Sequence, residues 1–203
     1  MNSKKLKIAV TGNIGSGKST FCNYIESKGY KVLRADDIAK EILVNDGNVK
    51  SEVIREFGTE TFNGKELNKK FLAETVFSDP QKVQLINSII HPVVIKNLNE
   101  QINSLLVNEN IVFVEAALIY EAGMEELFDY VVLISSELRN RFKRKEKSDN
   151  YSFEEFKRRE ENQIKEEEKS KRADFEFKNN GSIKELKQKA ELLLLVLKGM
   201  VNK

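Results

Sequence analysis

The chain has 203 residues, 40% of them hydrophobic, which suits one globular domain with appended lobes rather than two independent cores. Its 34 basic and 32 acidic residues leave a formal net charge of +2, so no overall field favours nucleic acid or an anionic membrane, and any recognition of a polyanion has to be local. A lone cysteine, Cys22, excludes an internal disulfide, and no apolar run approaches the roughly 20 residues that span a bilayer. With no secretory pattern ahead of the first apolar run, the expectation is a cytoplasmic protein without nucleic-acid or membrane partners.

The first predicted element is a strand, Leu6-Lys7-Ile8-Ala9-Val10. Behind it, Gly12-Asn13-Ile14-Gly15-Ser16-Gly17-Lys18-Ser19 matches the phosphate-binding pattern G-x-x-x-x-G-K-[ST] in full, and a helical segment follows from Ser19 to Lys28. In that setting the glycines let consecutive N–H groups turn inward around a phosphate at a helix start. Lys18 is placed to reach the β- and γ-phosphates of a bound nucleotide and Ser19 to ligate Mg²⁺. Cys22, on the helix, reads as a packed thiol.

The second strand is expected over Tyr30 to Leu33, and it ends at Arg34-Ala35-Asp36-Asp37. Ligands of a parallel sheet gather beyond the carboxyl ends of its strands, so Asp36 is a candidate to accept a proton from an attacking hydroxyl or to hold Mg²⁺ through water. Asp37 reads equally well as the cap of a helix beginning at Ile38. From Glu52 to Asn110 the pattern is mainly helical, around Val53 to Phe57, then Asn68 to Phe77, then from Pro80 with a break near Pro92. A crossover needs only about a dozen residues. The excess reads as a helical lobe for an acceptor substrate, and it carries His91, the single histidine, either as a packed residue or as an acceptor contact.

A third strand, Ile111 to Val114, ends at Glu115, which could support a metal or sit as a salt-bridged glutamate at a sheet edge; a fourth is expected over Tyr130 to Ile134. The stretch from Arg139 to Arg172 is strongly charged. Much of it fits exposed helices, but Arg139, Arg141, Lys143, Arg144, Lys145 and Lys147 gather at one end, as a lid over phosphates requires. Phe175-Glu176-Phe177 is a possible short fifth strand before the turn Asn179-Asn180-Gly181. A final helix starts at Ser182, with Glu185 three residues on and Leu192 to Leu195 expected on the sheet. The class is α/β.

Taken together, Thr11 to Thr20 as TGNIGSGKST, Ala35-Asp36 with Ile38-Ala39, Leu67 to Leu72 leading to Val76-Phe77, His91-Pro92-Val93, Leu118-Ile119-Tyr120-Glu121, and Ala173-Asp174 with Asn179-Asn180-Gly181 resemble the dephospho-coenzyme A kinase family. The resemblance runs from about Ile8 to Gly181. It implies a P-loop kinase fold, with a parallel sheet flanked by helices, a helical acceptor-binding insertion and a charged helical lid. On that pattern the nucleotide-binding core covers 1–57, 111–138 and 170–203, the acceptor domain 58–110 and the lid 139–169. The implied reaction moves the γ-phosphate of ATP, with Mg²⁺, to the ribose 3′-hydroxyl of dephospho-CoA. The implied catalytic residues are Asp36, Lys18 and Arg141. Residues 12 to 20 with Asn179 and Gly181 hold ATP, and Thr11, Asp36, His91, Leu118 and Glu121 face the acceptor.

The chain departs from the family pattern at Arg34, where an aspartate is usual, at Lys69-Lys70, where arginine is common, at Ala117-Leu118-Ile119 in place of Pro-Leu-Leu, and at Lys145 in place of an arginine. A nucleoside monophosphate kinase is the rival enzyme with the same loop. A guanine-nucleotide switch would need Asn-Lys-x-Asp, and Asn68-Lys69-Lys70-Phe71 lacks the aspartate. A nucleic-acid-stimulated ATPase is disfavoured by the near-neutral charge.

Overall fold

The protein is described here as a computed structural model covering residues 4–202. In chain order its elements are β1 (Leu6–Thr11), α1 (Lys18–Ser27), β2 (Lys31–Arg34), α2 (Ala35–Asn45), α3 (Gly47–Phe57), β3 (Phe62–Asn63), β4 (Glu66–Leu67), α4 (Lys69–Val76), α5 (Pro80–Leu105), β5 (Ile111–Glu115), β6 (Tyr130–Ser135), α6 (Leu138–Asp149), α7 (Phe153–Glu161), α8 (Glu166–Arg172), β7 (Phe175–Lys178) and α9 (Ile183–Val201). They fall into two compact units, one running up to Arg34 and resuming at Gln101, the other Ala35–Glu100.

The first unit is built on a parallel sheet in the order β2-β5-β1-β6-β7. β1 lies at its centre, with Val10 beside Glu115 of β5 and Thr11 beside Leu133 of β6. Such a strand has helices over both faces, which is why β1, β5 and β6 read as nearly continuous apolar runs while the edge strand β7 alternates. On one face Leu6, Ile8, Val10, Phe113 and Ile134 pack against Phe21, Cys22 and Ile25 of α1 and against α9. α9 presents Leu186, Ala190, Leu193, Leu194, Leu197 and Val201, spaced at helical period, and Ser182 and Glu185 close a reciprocal capping box at its start. Of the leucine cluster expected on the sheet, only Leu193 and Leu194 reach it. Leu192 and Leu195, pointing the other way round the helix, are 55% and 63% exposed.

The charged stretch folds into three helices rather than a pair, and it has a small core of its own. Phe142 meets Phe153 and Phe156 edge-on, with ring centroids 5.2 and 5.5 Å apart. Helical periodicity sorts the cations: Arg141 turns inward while Arg139, Lys143 and Lys147 stay exposed.

In the second unit, α2 begins at Ala35, so Asp37 lies inside its first turn, paired with Lys40 at 2.7 Å, and does not cap it. Asp36 likewise sits in the first helical turn, beyond the strand end, where a carboxylate is favoured by the helix dipole. α5 runs unbroken through Pro92, against the expected break. The proline removes one backbone donor, and the apolar positions Ile86, Ile89, Ile90, Val94 and Leu98, all buried, keep helical spacing across it. The antiparallel pair β3–β4 lies within the stretch expected to be mainly helical. The loop joining the two strands is Gly64-Lys65, with Gly64 at φ 66. Among the described residues no helix is long and apolar enough to cross a membrane.

Candidate active site

Residues 12 to 17 join the central strand to α1, as the motif requires. Gly15 and Gly17 adopt φ 75 and 101, and a Cβ on either would strike a neighbour, the Arg141 carbonyl oxygen at 2.4 Å or Asn179 Nδ2 at 2.3 Å. The glycines are therefore set by what packs against the loop as well as by its backbone angles. Ser16 N–H closes a turn onto the Asn13 carbonyl at 3.0 Å. Lys18 Nζ lies 2.7 Å from the Gly12 carbonyl, folded back over the first limb of the loop. Thr11, fully buried at the end of β1, approaches the Ala117 carbonyl at 3.5 Å, and Thr20 is half-buried in the first turn of α1.

Ser19 Oγ donates to Glu115 Oε1 at 2.6 Å. Glu115 ends β5, an interior strand flanked by β1 and β2, so it is not at a sheet edge. Its Oε2 is buried and accepts no hydrogen bond among the described residues, with Arg34 Nε at 3.6 Å. Arg34 is held by Asn23 and by both oxygens of Glu26. That contact holds the Glu26 carboxyl below its ordinary value.

Three segments are clamped around the loop from behind. Arg141, 4% exposed, pairs through both terminal nitrogens with Glu160, at 2.5 and 2.8 Å, and donates to the Ser136 and Ile14 carbonyls. Glu166 lies 3.8 Å from the same guanidinium and receives Ser136 N–H, and burial pushes its carboxyl up. Arg144 donates to the carbonyls of Gly15, Ser16 and Asn179. Burial, and then the charge of Arg141, lower its pKa. Asn179 adds a third donor, its Nδ2 reaching the Ser16 carbonyl at 2.7 Å. In the trans peptides of the Ile14 and Ser16 carbonyls the Gly15 and Gly17 N–H groups point away from these donors, whereas Ser16 N–H is turned onto the Asn13 carbonyl.

The turn between α7 and α8 packs on Asn13 and Ile14 of the loop. Asn13 Nδ2 donates to Glu160 Oε1 and to the Ile164 carbonyl, and Ile14 N–H donates to Gln163 Oε1 at 2.8 Å. Ile164 N–H in turn meets Glu121 Oε1, which also pairs at 2.8 Å with Lys169, a fully buried lysine. Glu121, expected at the acceptor, thus anchors this turn with one oxygen, and its Oε2 is buried without a hydrogen bond among the described residues. Leu118 is half-buried one turn earlier, next to the buried Ile119 and Tyr120, whose hydroxyl is pushed up to about 12 by burial. Gly181 and Asn180 are exposed, while Asn179 is buried behind the loop.

Asp36 and His91 belong to the Ala35–Glu100 unit. Asp36 is exposed and accepts no hydrogen bond within that unit, and His91 is half-buried on α5. The charge pattern gathers Arg141 and Arg144 in one cluster and the family resemblance singles out Arg141 alone, although the i, i+3 spacing that puts both on one helix face was available as a signal. Nothing in the sequence marks Glu160, Gln163 or Lys169, because their roles depend on which turn docks on the loop.

A family model described as dephospho-CoA kinase matches residues 6–185. A dephospho-CoA kinase of Thermus thermophilus is 35% identical over 192 residues, covering 95% of this chain and 92% of that one. Among solved structures, a Thermus thermophilus protein superposes with TM-score 0.80 at 35% identity over 96% of this chain and 98% of its own. A dephospho-CoA kinase from Campylobacter jejuni gives 0.71 at 31%, covering 95% and 98%.

Proposed function

The chain belongs to the dephospho-CoA kinase family, and on that premise we infer that it transfers the γ-phosphate of ATP to the ribose 3′-hydroxyl of dephospho-CoA, giving coenzyme A and ADP. The observation that carries this is a complete phosphate loop, braced on both sides, inside a family match covering nearly the whole chain. Residues 12 to 20 bind ATP, with Lys18 on the β- and γ-phosphates and the start of α1 supplying N–H donors and a favourable dipole. Asn179 acts through the Ser16 carbonyl, leaving exposed Asn180 and Gly181 to the adenine end.

Mg²⁺ fits the residues present. A hard divalent ion takes oxygen ligands, often one or two from protein with the rest from phosphate and water, and Ser19 Oγ beside the Glu115 carboxylate offers that set. The metal, when bound, supplies positive charge to the phosphate oxygens.

The remaining assignments rest on position and chemistry. Asp36, two residues past the end of β2, orients the acceptor hydroxyl and takes its proton as transfer completes. Residues 58–110, with His91, bind the acceptor together with Thr11, Leu118 and Glu121, and 139–169 serve as the lid. Arg141 meets the transferring phosphoryl group by exchanging Glu160 for it. The activity belongs to the cytoplasm and calls for no nucleic acid or membrane. ADP release with dephospho-CoA against a panel of nucleoside monophosphates tests the assignment. Equal or faster turnover of a monophosphate overturns it.

A further inference from the structure

Gln163 stands in the turn between α7 and α8 with its side-chain oxygen 2.8 Å from the Ile14 nitrogen. A backbone N–H can only donate, so the amide oxygen is the atom committed to Ile14 and the amide nitrogen, with two N–H donors, is turned away from it. Among the described residues that nitrogen meets no acceptor. The side chain is nevertheless held in place. Residues on both sides of it grip the same limb of the loop, Glu160 and Ile164 each accepting from Asn13 Nδ2, and Ile164 is tied to Glu121. A half-buried amide with spare donors, fixed above an anion-binding loop, is preorganised for an anion.

The place it faces can be identified. N–H groups at the start of α1 take the inner phosphate, and the loop lysine bridges from there to the terminal one. Lys18 Nζ lies against the Gly12 carbonyl, which puts the terminal phosphate beside the Gly12 to Ile14 limb, where Gln163 sits. We propose that Gln163 is a catalytic residue of the transfer: its amide oxygen stays on Ile14 N–H while its amide nitrogen donates to the γ-phosphoryl group of ATP. It exchanges no proton. The proposal rests on ATP occupying the 12 to 19 loop.

The test uses the full chain with Q163A and Q163E, measuring kcat with ATP and dephospho-CoA and the binding of Mg·ADP and Mg·β,γ-imido-ATP. Glutamate keeps an acceptor for Ile14 N–H but replaces the donor with an anion. We expect kcat to fall about 10²-fold in Q163A and at least as far in Q163E, the scale of one lost donor to developing charge. Imido-ATP should bind about 10-fold more weakly in both while ADP binding stays within about 3-fold, a split that loosening of the loop does not produce. A Q163E kcat above that of Q163A, or equal weakening of ADP and imido-ATP, overturns the proposal. If Q163A fails to fold, the Q163E nucleotide split decides alone. Failure of the unaltered protein to bind ADP overturns the loop reading, and this proposal with it.

Discussion

Ser19 Oγ hydrogen-bonds Glu115 Oε1 at 2.6 Å, joining the first turn of α1 to the end of a strand that lies on the opposite side of β1 from β6. The second oxygen of that carboxylate is buried and, among the described residues, has no hydrogen bond of its own. On the proposed role, this hydroxyl and carboxylate would supply two of the roughly six oxygen ligands that a bound Mg²⁺ takes. Glu115→Gln should therefore raise the Mg²⁺ concentration needed for half-maximal rate by about 10-fold, while chelation abolishes turnover of the unaltered protein. A Glu115→Gln variant with an unchanged Mg²⁺ titration would show that the pair is only structural.

Arg141 is a buried cation gripped by Glu160, so its removal has two separable consequences. Arg141→Ala strands the Glu160 carboxylate and should cost about 3 kcal/mol of stability by urea unfolding. Arg141→Met combined with Glu160→Gln should recover most of that loss. kcat should remain about 10²-fold down in both, because charge developing on the phosphoryl oxygens has lost its partner. Recovery of kcat together with stability would make Arg141 a structural residue.

Asp36→Asn keeps the shape of the side chain and removes the base. ATP affinity should stay within about 3-fold, and transfer at saturating dephospho-CoA should slow by roughly 10²- to 10⁴-fold. Asp37→Asn should be mild, since it breaks only an exposed pair with Lys40, worth well under about 1 kcal/mol. If Asp37→Asn proves the crippled variant, the base has been placed one residue out of register.

The parts of this molecule legible in the sequence are those fixed by local chemistry. The strand, loop and helix from Leu6 to Ser27, the five parallel strands and the Ser182 box all follow from apolar runs, glycines and capping residues. The β3–β4 pair escaped because two-residue strands show no period, although Gly64, at φ 66, marks its turn. Pro92 misled because a proline signals a break only where the flanking apolar stripe does not persist. Gln163 and Lys169 were illegible for a different reason. Each is one charged or polar residue among many on α6 to α8, and docking of the turn on the loop alone distinguishes them.

Burial holds the Glu166 carboxyl above its ordinary value, with Ser136 N–H and Arg141 pulling the other way and Glu160 and Glu176 adding to the rise. The folded chain then binds this proton more tightly than the unfolded chain. Ionised Glu166 thus costs stability above the raised value, and the cost is relieved as pH falls through it toward about 4.3, the unfolded value. Glu166→Gln removes that dependence, so its Tm relative to the unaltered protein should rise between about pH 4 and pH 7. A relative Tm that falls over this interval contradicts the burial of Glu166 as its governing influence.

The most direct measurement follows the phosphate itself. Incubation of the protein with γ-labelled ATP, Mg²⁺ and dephospho-CoA, with the label then located by phosphorus NMR, should place it on the ribose 3′-oxygen of coenzyme A, matched mole for mole by ADP. Label appearing only as inorganic phosphate, or on a nucleoside monophosphate in preference to dephospho-CoA, would contradict the assignment.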